Sequence, residues 1–174
     1  MTAHLHRPSL YGEAINKIAC EIGDATALQP LFNYTVSSIQ REFGFYVVSI
    51  FVYYAADDAA MLLAQAGQSS EPAPIGAIQS ADLGIVGEVI RTRKSILLNN
   101  VFENPHYVAP EGYPHAKSEI CVPIMHKQFV WGVINIESDQ LNAFNDEDRI
   151  ALETIAQHLA DAVDHLLARA ERAR

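Results

Sequence analysis

Two short apolar runs carry the residues best suited to chemistry: Glu119 and Cys121 in SEICVPIM, and Asn135 and Glu137 in VINIES. In an extended strand, side chains two apart share a face. Each pair therefore projects to one side, while Ile120, Val122, Ile134 and Ile136 project to the other. Carboxylates and an amide among apolar neighbours suit an ammonium group, a peptide N–H or a cation. An apolar surface with a few polar groups is the usual lining of a ligand pocket. A second set lies just upstream, where NPHYVAPEGYPHAKSE holds His106, Tyr107, Tyr113 and His115 among three prolines. Prolines lower the entropy lost on ordering a loop, which suits a semi-rigid lid offering hydrogen bonds or stacking. The alternatives are a polar surface loop and, for Glu119, a structural hydrogen bond to the loop backbone. Cys20 and Cys121 form no C-x-x-C pair, so neither a zinc site nor a disulfide framework is indicated.

The elements that must position these residues follow from periodicity. Residues 1–9 read as a loose tail and 10–174 as one domain. Ile15, Ile18, Ala19 and Ile22 fall on one helical stripe, with Ser9 as cap and Gly23 near its end. Leu28, Leu31, Phe32, Thr35 and Ile39 repeat at helical spacing, with Asp24 or Thr26 as cap and Gly44 as the break. Phe45 to Tyr54 is β-branched and aromatic, hence a central strand. Asp57-Asp58 turns it into a second strand, Met61 to Gly67, and Ile75 to Gln79 makes a short third. Gly84 and Gly87 bracket Ile85 and Val86, where backbone can pack closely at a helix start and present N–H groups. Glu88 to Arg93 continues that helix, and Ser95 to Leu98 reads as a buried strand.

Parity divides the strands into two faces. Val48, Ile50 and Val52 join the helix-facing set, while Phe51 and Tyr53 join Glu119, Cys121, Met125, Trp131, Asn135 and Glu137 on the mixed face. The last helix has Asn145 as cap and Asp146, Glu147 and Asp148 in its first turn, where the macrodipole favours anions. Leu152, Leu159, Val163 and Leu166 then form a seam suited to pairing with a second copy, and Ile150, Ile155 and Leu167 add apolar surface beside it.

Composition limits the function classes. The chain has 174 residues and 49% apolar content, enough for one domain with a substantial core. A net charge of −9 without a Lys/Arg patch argues against nucleic acid as partner. No run approaches the ~18 apolar residues of a membrane span, and MTAHLHRPSLYGE lacks the apolar centre of a signal peptide. A cytoplasmic domain is expected.

Gly84-Ile85-Val86-Gly87, the Asn99–Tyr107 segment and Ser118-Glu119 ahead of Val122-Pro123-Ile124 resemble the GAF domain, a small-molecule-binding sensor fold. So do Gly132 to Ser138, and Phe144 followed by Asp146-Glu147-Asp148; the likeness covers roughly residues 25–165. The resemblance implies an α+β fold with a five- or six-stranded antiparallel sheet. Terminal helices would pack on one face, and a helix-and-loop excursion would cover a pocket on the other. The ligand-binding residues would be Phe51, Tyr53, Ile85, Val86, His106, Tyr107, Tyr113, His115, Glu119, Cys121, Asn135 and Glu137. The expected function is a sensory module without catalysis. It binds an unidentified small molecule, signals through its terminal helices to a partner or output domain, and forms a homodimer. No cofactor is assigned. Free methionine-(R)-sulfoxide reductases, which share the family, are the enzyme alternative. Glu119 matches one of their carboxylate positions and Asn135 and Glu137 replace their aspartates, but residues 83–118 contain no cysteine. A histidine of the 106–115 loop as a haem ligand is the other alternative, without a C-x-x-C-H attachment motif.

Overall fold

A computed structural model describes residues 8–68, 73–109 and 116–173. Two helices open it, α1 (Pro8–Gly23) and α2 (Leu28–Phe43). The apolar stripe of α2 buries Leu31, Phe32, Val36 and Ile39, and the helix ends where Gly44 turns left-handed at φ 71° and donates its N–H to the Gln40 carbonyl. The cap expected at Asp24 or Thr26 is absent. Ala27 holds the N-cap position without a side-chain hydrogen bond, and its carbonyl accepts the Leu31 N–H at 3.1 Å. Burial of Leu31 and Phe32, not capping, sets this helix start.

The strands β1 (Val47–Tyr54), β2 (Ala59–Gly67), β3 (Ile78–Ser80), β4 (Ile96–Leu98), β5 (Ser118–His126) and β6 (Phe129–Ser138) form one sheet in the order β3-β2-β1-β6-β5-β4. Every neighbouring pair is antiparallel. α3 (Gly84–Thr92) lies between β3 and β4, and α4 (Asp146–Arg172) closes the chain. The fold is α+β with a six-stranded antiparallel sheet. Among the described residues no helix is long and apolar enough to cross a membrane.

One face of the sheet meets α1, α2 and α4. Val48, Ile50, Ile120, Val122, Ile124, Ile134 and Ile136 pack there with Ile18, Phe32, Ile39, Leu152, Leu159 and Val163. Complete burial of each such side chain is worth roughly 1.5–3 kcal/mol, so this face is the main source of stability.

Two expectations need correction. Trp131 does not share the face of Asn135 and Glu137. The β5–β6 register pairs Ile124 with Gly132 and Met125 with Val130, so Trp131 is the extra residue of a β-bulge. Its ring turns to the helix side, 5.4 Å from that of Phe32. The α4 seam is also taken up within the chain: Leu152, Leu159, Val163 and Leu166 are buried in its own core. Ile155 is fully buried with them, leaving Ile150 and Leu167 exposed.

α4 starts as its sequence indicates. The Asn145 side chain accepts from the N–H groups of Glu147 (2.7 Å) and Asp148 (3.1 Å), while Asp148 accepts from the Asn145 N–H at 2.9 Å. The Tyr11 hydroxyl donates to Asp148 at 2.8 Å and so ties α1 to this helix start. Burial, followed by the contact with Asp148, pushes the Tyr11 phenol up to about 12.

Candidate ligand-binding site

The second face is built under α3. Gly84 enters the helix with φ 67°, and a Cβ on Gly87 would lie 2.4 Å from the Ala81 carbonyl oxygen. Only glycine lets the helix come this close to the preceding turn. Arg91 reinforces the contact by donating to the same carbonyl at 2.6 Å. So held, α3 buries Ile85, Val86, Val89 and Ile90 against Cys121 and Val133.

A series of asparagine turns places the next residue. Asn100 caps the short 3-10 turn Val101–Glu103 by accepting the Phe102 N–H. Asn104 accepts the His106 N–H at 2.8 Å with its side chain and the Tyr107 N–H at 3.1 Å with its carbonyl. Asparagine favours such turns because its side chain bonds backbone two residues on. Tyr107 is thereby laid against the second-face cluster, with the Phe102 ring edge-on at 6.2 Å.

Beneath this cover, the strand register brings the polar residues together. Glu119 and Glu137 are direct cross-strand partners, and Cys121 is the partner of Asn135. On its other side Asn135 faces Ser49, whose hydroxyl accepts from Gln65 at 2.9 Å. Glu119 and Asn135 are each 4% exposed and Glu137 is 8% exposed. Asn135 gives Glu119 a side-chain hydrogen bond, yet its Oδ1 is buried with no hydrogen-bond partner among the described residues.

This environment acts on every ionisable group in it. Burial raises the Glu119 carboxyl well above its ordinary value, and Glu137 opposite adds to the rise; the Asn135 hydrogen bond opposes it. Burial alone pushes Glu137 up to about 7. Tyr107 rises to about 12, first through burial and then through Glu119 and Glu137. The same causes, in the same order, raise Cys121 and keep it a thiol. The face is rich in acceptors and poor in donors, so a positively charged group with several N–H bonds is its natural complement. Among the described residues no group of three or more His, Cys, Asp or Glu is arranged to hold a metal ion.

The structure gathers Ile85, Val86, Tyr107, Glu119, Cys121, Asn135 and Glu137 on this face, with Phe51 and Tyr53 packed at its margin. The Tyr53 hydroxyl is committed elsewhere, donating to Asp58 at 2.9 Å. His106 is exposed and does not join the cluster. Tyr113 and His115 lie outside the described residues. Val133, Val89, Ile90 and Leu98 also belong to this face, and the odd-numbered parity of β6 points to the first of them. Open clefts among the described residues lie elsewhere. One, of about 630 Å³, has Tyr11, Phe43, Phe45, Phe144 and Asp148 in its wall; another, of about 480 Å³, has Arg93, Lys94 and Arg149. Neither includes Glu119, Asn135 or Glu137.

Solved structures share the whole fold. The free methionine-R-sulfoxide reductase from Neisseria meningitidis, in complex with its substrate, is 20% identical with a TM-score of 0.83, covering 91% of each chain. The GAF domain of an Acinetobacter phosphoenolpyruvate-protein phosphotransferase is 20% identical with a TM-score of 0.82, over 95% of this chain and 99% of that one. A type II free methionine-R-sulfoxide reductase from Thermoplasma acidophilum is 21% identical with a TM-score of 0.66, over 90% and 96%. These reductases overturn the expectation of a module without catalysis, because enzymes use this same fold and the architecture is compatible with turnover. A comparison with curated proteins finds no match. The model of the GAF domain family matches residues 25–164, and the chain belongs to that family.

Proposed function

We propose that this GAF domain is a sensory or regulatory module whose ligand is a small molecule bearing an ammonium group, bound on the second face of the sheet. Glu119, Glu137 and the free Asn135 carbonyl receive the cation; Ile85, Val86, Val89 and Tyr107 cover the apolar part of the ligand. The observation that supports this best is the unpartnered Asn135 Oδ1 beside two buried, opposed carboxylates. A buried acceptor without a donor is destabilising by about 1–3 kcal/mol, and an ammonium group supplies three donors and a charge. Free methionine-R-sulfoxide, on which the neighbouring reductases act, carries an α-ammonium group, so amino-acid derivatives are the class to test first. Occupancy would bias the position of α3 and the Tyr107 segment, and the packed pair α1 and α4 would carry that bias to an output domain or a second copy.

Native mass spectrometry of freshly purified protein, followed by calorimetric titration with free amino acids and methionine-R-sulfoxide, tests this reading. Binding of an amine that Glu119→Gln or Asn135→Ala weakens at least tenfold is the expected result. Retention of an anionic ligand, or an amine indifferent to both substitutions, would refute it. Thiol-dependent turnover of methionine-R-sulfoxide in the same samples would identify that ligand as a substrate.

A further inference from the structure

Glu119 and Glu137 pose a charge problem that the other described residues leave unsolved. They are direct partners on adjacent antiparallel strands, where Cβ atoms stand about 4.5–5.5 Å apart and like charges oppose each other. Both are more than nine-tenths buried, so water does little to screen them. Among the described residues, the ion pairs of Lys17, Arg41 and Arg149 are elsewhere: Lys17 and Arg41 serve Glu42 and Glu21, and Arg149 serves Asp146 and Glu153.

Among the described residues, the elements packed against this face bring no counter-charge. α3 carries Glu88, whose Oε2 is itself buried without a partner, and Arg91, which is turned to the Ala81 carbonyl. The segment after the 3-10 turn brings Tyr107, β5 brings Cys121, and both are held in their neutral forms. β1 contributes Tyr53, bonded to Asp58 at the hairpin, and β4 contributes the apolar Ile96 and Leu98. One hydrogen bond from Asn135 to Glu119 favours a single ionised carboxylate, not two. A like-charged carboxyl pair in such a place keeps a proton on one member.

We infer that the Glu119–Glu137 pair holds one proton at neutral pH when no cation is bound, and that a monovalent ammonium ligand takes its place. The O–H bond of the protonated carboxyl breaks, the proton passes to solvent, and the second carboxylate is neutralised by the incoming charge. The buried net charge is then the same before and after binding, so exchange avoids both an uncompensated dianion and an excess cation. The high position of both carboxyls is the electrostatic counterpart of this arrangement. The inference rests on the ammonium class proposed above and adds a pH dependence: binding weakens as acid returns the proton to the pair. A neutral ligand would show no such dependence.

Carboxyl ¹³C NMR of the full chain, labelled at glutamate and titrated from pH 5 to pH 9, tests the stored proton without any ligand. Glu119→Gln and Glu137→Gln assign the two signals. One carboxyl of the pair is expected to titrate near or above neutrality, and two signals at the ionised position throughout would overturn the inference. Methylammonium chloride, measured against equal sodium chloride, then tests the exchange. Its affinity should fall about tenfold per pH unit below the upper midpoint of the pair. An affinity equal at pH 6 and pH 8 in a protein whose pair does titrate would refute the exchange while sparing the ligand class. Absence of methylammonium binding at every pH, with the proton present, would refute the ammonium class and the exchange together.

Discussion

β5 and β6 are shared by two regions with opposite chemistry. On the side of α1, α2 and α4, Ile120, Val122, Ile124, Ile134 and Ile136 are all fully buried within one apolar cluster. On the side of α3, the residues between them are Glu119, Cys121, Asn135 and Glu137, equally hidden from water yet carrying two carboxyls and an unpartnered carbonyl. Burial is alike and free energy is not. Apolar burial stabilises the first face, whereas desolvation of polar groups opposes folding on the second. A face that is costly to bury and incompletely satisfied is one arranged for something the chain does not itself contain.

The contrast can be broken most forcefully on the apolar side. Ile136→Ala removes a fully buried side chain from the helix face and should destabilise the fold by about 2–5 kcal/mol. Urea denaturation would show this, and a change below about 1 kcal/mol would mean that this face is not the main support.

Glu137→Gln, its neighbour on the other face, should behave in the opposite sense above neutral pH. With its carboxyl moved from the ordinary 4.5 to about 7, the folded chain binds more protons than the unfolded one across that interval. Stability therefore falls as pH rises from about 4.5 to 7, by at most about 3 kcal/mol for this group. Glu119, raised in the same direction, adds to the trend. Glu137→Gln should flatten the pH profile and be more stable than the parent at pH 8. A parent chain that gains stability from pH 5 to pH 7, with the variant following in parallel, would contradict the account of this face.

Gly87→Ala separates the two regions more finely. Its Cβ would meet the Ala81 carbonyl, so α3 must shift, at a cost of about 1–3 kcal/mol for the overpacking. NMR shifts of Cys121 and Val133 should move while those of Ile134 and Ile136 hold still. Equal changes on both faces would show that the two sides are not independent.

Much of this division is legible in the sequence, because period-two alternation survives wherever the ladder is regular. It fails at Trp131, where the bulge inserts one residue and reverses the face; the signal in FVWGV is Gly132, since an isolated glycine inside a strand often marks a bulge or a close backbone approach. The α4 seam reads equally well as a dimer surface or a core stripe, since both require the same spacing, and the burial of Leu152, Leu159 and Val163 shows that these residues pack in the chain's own core. The start of α2 escapes cap reasoning because tertiary packing sets it. The polar members of the site follow from parity, but the free Asn135 carbonyl and the register opposing Glu119 to Glu137 are properties of strand pairing, which no single segment contains.

The central claim is that the second face, and not the open clefts, receives the ligand. NMR mapping of the labelled chain during titration with methylammonium chloride at pH 8 tests it most directly. The account predicts shifts concentrated at Tyr107, Glu119, Asn135 and Glu137. Shifts confined to Tyr11, Phe45 and Phe144, which line the cleft of about 630 Å³, would contradict it.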